Sequence, residues 1–229
     1  MLKILITSGG TTENMDAVRV MTNISTGKLG AIITEKLAII PNYKIYYVHG
    51  IHAVLPFSGL ITNIELFPVR SVKNAMDTMK KLIVEEEIDV VIHSMAVSDF
   101  TFNTDIPLKL KSNDPIAFLE ALKGVASTSP KIISYIKTWR PQTFLIGFKF
   151  EVGIGHDELI ALAKNSIEKN GCDLVIANDK VKMQEANSHV AHFVFSDELL
   201  ATRTFSNTTV SGKKEIAMEI AMCLGKLAI

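Results

Sequence analysis

Ser8-Gly9-Gly10-Thr11 and, further on, Ser25-Thr26-Gly27 are a set of hydroxyls and small residues suited to holding an anion. Glycines let main-chain N–H groups come close to a phosphate, and a helix starting after Gly27 adds partial positive charge. The same residues also make ordinary turns, so the motif alone admits both readings. Asp99, in Met95-Ala96-Val97-Ser98-Asp99-Phe100, follows an apolar run ending near Ser94. Carboxylates at such strand ends meet ribose hydroxyls or metal-bound phosphates, and equally often serve as caps or turns. Lys109 and Lys111 alternate to one face, where they could close over phosphates as mobile cations or form a solvated face. Asn178-Asp179 ends another apolar run.

The elements that must position these groups alternate in type. Leu2 to Thr7 reads as a buried strand, β-branched and apolar apart from its ends. About fifteen polar, glycine-bearing residues follow where roughly two to six would connect strand to helix, which marks a binding loop more often than an idle connection. Leu29 to Ile40 carries helical spacing and stops at Pro41-Asn42. Lys44–Gly50, Ile64–Val69, Ile88–Ser94, Phe144–Phe148 and Asp173–Asn178 read as strands. Helices are expected from Ser71, as cap, through Glu86, from about Asp157 to Lys169, and from about Gly212 to Leu227. Leu108 to Lys111 alternates like a strand, and Ile116 to Leu122 fits a strand or a helical turn; the expectation is a flap of paired strands over about residues 100–125. Ala191–Phe195 and Ala201–Phe205 suggest a hairpin that is either an interface or ordinary core. The expected class is therefore α/β: a Rossmann-like, doubly wound, mostly parallel sheet with a protruding β flap and a C-terminal hairpin.

A chain of 229 residues, 48% of them apolar, can bury its core as one domain over residues 1–229. Twenty-four basic residues balance 24 acidic ones, so charge gives no reason to expect nucleic acid or an anionic membrane as partner. No apolar run reaches the roughly eighteen residues of a membrane span, and the N-terminus enters a strand without a signal-type segment; a cytoplasmic protein is expected. Cys172 and Cys223 are too few and too scattered for a disulfide framework or metal cluster. Gly9-Gly10 and Gly27-x-x-Gly30 do not make the Gly-x-Gly-x-x-Gly dinucleotide fingerprint, and the second strand closes on His49-Gly50 with no acid for a ribose. No Gly-Lys-Ser/Thr follows the first strand, so a Walker-type loop fails too.

Taken in order and spacing, Ser8-Gly9-Gly10-Thr11-Thr12-Glu13, Asp16-Ala17-Val18-Arg19, Asn23-Ile24-Ser25-Thr26-Gly27, Ala96 to Phe100, Lys109-Leu110-Lys111, Gly147 to Glu151 and Cys172 to Asp179 resemble the phosphopantothenoylcysteine synthetase family over essentially the whole chain. The resemblance implies a ligase of coenzyme A biosynthesis. The carboxylate of 4′-phosphopantothenate would attack the α-phosphate of CTP, or ATP, and the acyl-nucleotide would be opened by the amine of L-cysteine. Mg²⁺ is implied as the triphosphate's partner, with ligands unknown. By the same resemblance Asn23 and Lys109 are catalytic, and Ser8, Gly9, Gly10, Thr11, Asp99, Lys109, Pro130, Ile132 and Phe148 bind nucleotide. Asn23, Ser25, Thr26, Gly27, Ala96 and Lys111 are assigned to the acid substrate. Lys131 stands where the family usually has an acid, and Lys164 and Lys169 lie near, but out of register with, two family lysines. A homodimer is implied, with the flap reaching toward the neighbour's site. Many relatives are fused behind a flavin-dependent decarboxylase; this chain is read as the stand-alone form, with that decarboxylase a separate enzyme acting next. The alternatives are a Rossmann-type NADPH- or flavin-binding oxidoreductase and a nucleotide sensor without turnover.

Overall fold

The computed structural model describes residues 1–57, 62–103 and 114–227. In chain order the elements are β1 (Leu2–Ser8), β2 (Thr12–Asn14), β3 (Val20–Thr22), α1 (Lys28–Ala38), β4 (Tyr43–Gly50), β5 (Ile64–Val69), α2 (Val72–Glu85), β6 (Val90–His93) and β7 (Phe100–Phe102). They continue with α3 (Pro115–Val125), β8 (Ala126–Thr128), α4 (Ile133–Trp139), β9 (Phe144–Glu151), α5 (His156–Asn170), β10 (Leu174–Asp179), α6 (Lys180–Glu185), β11 (Val190–Phe195), α7 (Asp197–Ala201), β12 (Thr208–Ser211) and α8 (Lys213–Gly225).

The main sheet runs β12-β11-β10-β9-β6-β1-β4-β5, with β10, β9, β6, β1, β4 and β5 parallel and the β10–β11 and β11–β12 pairings antiparallel at one edge. Its central strands are apolar on both faces because both faces are covered. Ile4 and Ile6 of β1 pack with Ile33 and Leu37 of α1 and Ile216 and Ile220 of α8. Leu5 points the other way, into the cluster of Met79 and Ile83 of α2, Ile136 of α4 and Leu159 of α5. A slip of one residue would exchange these two sets, so the pattern pins the register. After β1 the chain moves outward to β4 and β5, then returns through α2 to lay β6 on the other side of β1. The carboxyl ends of β1 and β6 are thus the switch point, where an open α/β sheet leaves a crevice.

Three expectations are corrected. The second strand of the hairpin is β12, not 201–205: Ser196 caps a short helix whose first turn carries Asp197 and Glu198, and Arg203 takes a left-handed φ of 59° that breaks extension. Phe193, Phe195 and Phe205 are buried, with the Phe195 and Phe205 ring centroids 5.0 Å apart, so these aromatics are core and not interface. The flap is strand only at its base, where β7 pairs antiparallel with β8. Residues 115–125 form a helix because Asp114 caps it by accepting from the Ile116 and Ala117 N–H groups, with Pro115 preset for the first turn. Lys109 and Lys111 lie outside the described residues. The polar stretch after β1, read as loop, contains the small β2–β3 hairpin.

Candidate functional site at the switch point

The site's floor is a weld between the segments that leave β1 and β6. Ala96 N–H donates to Gly9 C=O (2.8 Å) and Thr11 N–H to Ala96 C=O (3.2 Å), so parallel pairing continues past both strands through Gly10 and Ala96. The Thr7 hydroxyl accepts Met95 N–H (3.1 Å) and lies 2.9 Å from His93 Nδ1, while Ser98 N–H donates to Thr11 Oγ1 (2.8 Å). The Thr7 hydroxyl can donate to Nδ1 or accept from it while it accepts Met95 N–H, so this contact holds the His93 ring in either neutral tautomer. Burial pushes His93 down to about 4, so the ring is neutral through the physiological range.

Glycine sets how closely α1 approaches this floor. Ser8 Oγ donates to Gly27 C=O at 2.9 Å, just before α1 begins. A Cβ at Gly30 would lie 2.4 Å from Ser8 Oγ, so only glycine fits. Gly27 itself has φ 71°, a left-handed turn that other residues enter at a cost. Ser8, Gly9 and Thr11 are buried and their contacts are internal, so they build the wall of the site.

Two cavities open on this wall. One, of about 210 Å³, is bounded by His93, Ser98, Asp99, Lys131, Ile132 and Phe148. The other, of about 350 Å³, is bounded by Ser25, Thr26, Gly27 and Lys28 of the loop entering α1, by Ala96, and by Asn178, His189 and Lys213. Met95 and Phe148 border both. Small-molecule sites run from roughly 300 to 1,000 Å³, so the smaller space is a compartment of one larger site rather than a site alone.

Asp99 is exposed and ion-paired with the equally exposed Lys131, the residue that stands where an acid was expected. Asn23 donates both hydrogens of its amide, to Ala96 C=O and Val97 C=O, each at 3.2 Å. Two carbonyl partners can only accept, so Nδ2 is the nitrogen and Oδ1 remains for a ligand. Of the expected nucleotide residues, Asp99, Ile132 and Phe148 share one compartment; of those expected for the acid substrate, Ser25, Thr26, Gly27 and Ala96 share the other. Pro130 borders a separate groove with Glu13 and Arg70. Lys164 and Lys169 are exposed on α5 and border neither compartment. Sequence reasoning passed over His93, His189 and Lys213. His93 ends a strand at the crevice and was findable on that ground; His189 and Lys213 sit outside any motif. Among the described residues no group of three His, Cys, Asp or Glu side chains could hold a metal, and no helix is long and apolar enough to cross a membrane.

A doubly wound, Rossmann-like sheet with a two-chambered crevice at its switch point defines the class. The chain belongs to the DNA/pantothenate metabolism flavoprotein C-terminal domain family, whose model matches residues 1–227. The solved structure of the DNA/pantothenate metabolism flavoprotein from Streptococcus pneumoniae is 33% identical, over 98% of this chain and 99% of that one, with TM-score 0.78. The coenzyme A biosynthesis bifunctional protein CoaBC of Thermococcus kodakarensis is 35% identical over 77% of this chain and 41% of its own length. The protein of that name from Methanocaldococcus jannaschii is 29% identical over 98% of this chain and 51% of its own. The chain thus spans about half or less of these curated relatives.

Proposed function

We propose that this chain is a phosphopantothenate–cysteine ligase of coenzyme A biosynthesis. The observation that carries the reading is the junction of two compartments at Met95 and Phe148, beside Asn23 and Ala96. The compartment around Asp99, Ile132 and Phe148 takes CTP or ATP, with Asp99 at the ribose once it leaves Lys131. The compartment around Ser25, Thr26, Gly27 and Ala96 takes 4′-phosphopantothenate. Ser8 to Thr11 support both from behind by fixing the floor.

At the junction the acid's carboxylate oxygen attacks the α-phosphorus and the bond to pyrophosphate breaks. The cysteine amine then attacks the acyl carbon, the carbon–oxygen bond to the nucleoside monophosphate breaks, and the amine proton leaves to solvent. A carboxylate resists amines, so the mixed anhydride divides one hard step into two easier ones. Asn23 Oδ1, left to accept, holds the incoming amine while its Nδ2 fixes the loop that carries Ser25 to Gly27. Mg²⁺ would travel on the triphosphate with its waters, as it does where dedicated carboxylates are lacking, and would screen charge there.

A homodimer is part of this reading. Helix α3 has no buried residue, and its Ile116 and Leu119 are exposed, as are Val18, Val20 and Ile24, with the Arg19 guanidinium over the Phe118 ring at 5.0 Å. An apolar helix of this kind is expected to be covered by a second copy. Sedimentation should show a dimer that Leu119→Glu dissociates; a wild-type monomer at micromolar concentration would reject it. The activity is tested by pyrophosphate release with 4′-phosphopantothenate and cysteine across the four ribonucleoside triphosphates. Release that needs the acid supports the ligase, and no release with any nucleotide rejects it.

A further inference from the structure

The larger compartment has a charged far end that the ligase reading leaves without a task. Asn178 is the last residue but one of β10, Lys213 opens α8 and His189 precedes β11, so three separate elements bring these side chains to one cavity. Asn178 is buried, at 5% exposure, and its Nδ2 lies 3.3 Å from His189 Nε2 and 3.1 Å from Met183 Sδ. The amide nitrogen can only donate, so His189 accepts at Nε2 and carries its proton on Nδ1. Burial, with the nearby Lys213 charge adding to it, pushes His189 down to about 4. The histidine is therefore a neutral donor, and Lys213 is the cation of this wall.

The same cavity is lined by Lys28, the first residue of α1, and by Ser25 and Thr26. Among the described residues neither Lys28 nor Lys213 forms an ion pair. Glu215 does not serve that purpose: it folds back over its own helix start, where a Cβ at Gly212 would meet its Oε2 at 2.0 Å. Two ammonium groups, a neutral imidazole donor and two hydroxyls around one cavity suit a compact dianion. Asn178 pairs in register with Phe150 of β9, and β9 separates β10 from β6. Two strand spacings, roughly 10 Å, thus separate Asn178 from the end of β6 that leads to Ala96.

We infer that Lys213, backed by the Asn178–His189 pair and joined in the cavity by Lys28 and Ser25, receives the terminal phosphate monoester of the acid substrate. The chain of that substrate then crosses β9, and its carboxylate arrives at Met95 and Phe148, next to the nucleotide compartment. Lys213 is a specificity residue: it makes the enzyme prefer the phosphorylated acid over pantothenate. This rests on the ligase reading for the identity of the acid, but its test does not need turnover.

The test is calorimetric binding of 4′-phosphopantothenate and of pantothenate, without nucleotide, to the wild type, Lys213→Met and Lys213→Arg. The wild type should prefer the phosphorylated acid. Lys213→Met should weaken it by roughly 10- to 100-fold, the loss of one charge-assisted hydrogen bond, and leave pantothenate binding unchanged. Lys213→Arg should recover most of the preference, and all three proteins should melt together. A wild type that binds both acids equally, or a Lys213→Met protein that keeps the preference, overturns the assignment. Binding preference without ligase turnover would sink the ligase reading and leave this pocket standing.

Discussion

Gly30→Ala sets two effects against each other. Gly30 lies within α1, where replacing glycine by alanine ordinarily gains about 1 kcal/mol of helix propensity. Here the added Cβ would lie 2.4 Å from Ser8 Oγ, 2.7 Å from Ser8 Cβ and 3.2 Å from Ser94 Oγ. Ser8 belongs to a central strand, so its Cβ cannot swing away and α1 must shift instead. Overpacking of this kind costs about 1–3 kcal/mol, and losing the Ser8–Gly27 hydrogen bond adds about 1 kcal/mol. The net expectation is a loss of about 1–3 kcal/mol in urea unfolding. Ser8→Gly in the same background removes both Ser8 contacts, so the double variant should be at least as stable as Ser8→Gly alone, a coupling of 1 kcal/mol or more. Because α1 begins at the acid compartment, Gly30→Ala should also raise the KM for the acid more than that for the nucleotide. Stabilisation of Gly30→Ala by about 1 kcal/mol, or strict additivity in the double variant, would refute the close-approach argument.

Other outcomes follow from the same geometry. His93 is held near 4 in the fold against 6.5 in an open chain, so the unfolded state takes up the proton first. Its contribution is therefore complete above pH 6.5 and lost as pH falls toward 4, by up to about 3 kcal/mol, and His93→Gln should flatten that part of a stability-versus-pH curve. Parallel curves would show that the ring is not buried neutral. Burial pushes Cys172 up to about 12 and Cys223 up to about 11, so a thiol reagent at pH 8 should find neither until the chain unfolds. Rapid labelling of native protein would contradict this packing. Asn23→Asp replaces two donors with a carboxylate facing the carbonyls of Ala96 and Val97, and should abolish product while leaving the melting temperature within a few degrees, since Asn23 is exposed. Full activity in that variant would remove Asn23 from the mechanism.

The strands of the parallel sheet were legible because central strands must be apolar on both faces, and β1, β4, β6, β9 and β10 all show it. Helix starts with a capping residue were legible too: Ser71 caps α2 by accepting from Asn74 N–H, as its position suggests. Short elements were not. The strands β2, β3, β7 and β8 span three residues each, too few for a period to register, and α3 reads as strand or helix until Asp114-Pro115 is given weight. At the site, loop residues that end strands were readable because topology fixes where strands end. His189 and Lys213 were not, since no local pattern tells which distant loop folds over a crevice. The charge at 131 was noted as a departure, but only three dimensions show that Lys131 reaches Asp99. Nor does composition show that the Ser8 hydroxyl is engaged by Gly27 C=O and the Thr11 hydroxyl by Ser98 N–H; the folded chain does that.

The central claim is that carboxylate and α-phosphate meet between the two compartments. Following the oxygen atoms tests it most directly. Wild-type protein would be given 4′-phosphopantothenate carrying heavy oxygen in its carboxylate, with CTP or ATP and cysteine, and the products examined by mass spectrometry. The account predicts one heavy oxygen in the nucleoside monophosphate for each amide formed. Heavy oxygen in inorganic phosphate or pyrophosphate, with none in the monophosphate, would contradict it.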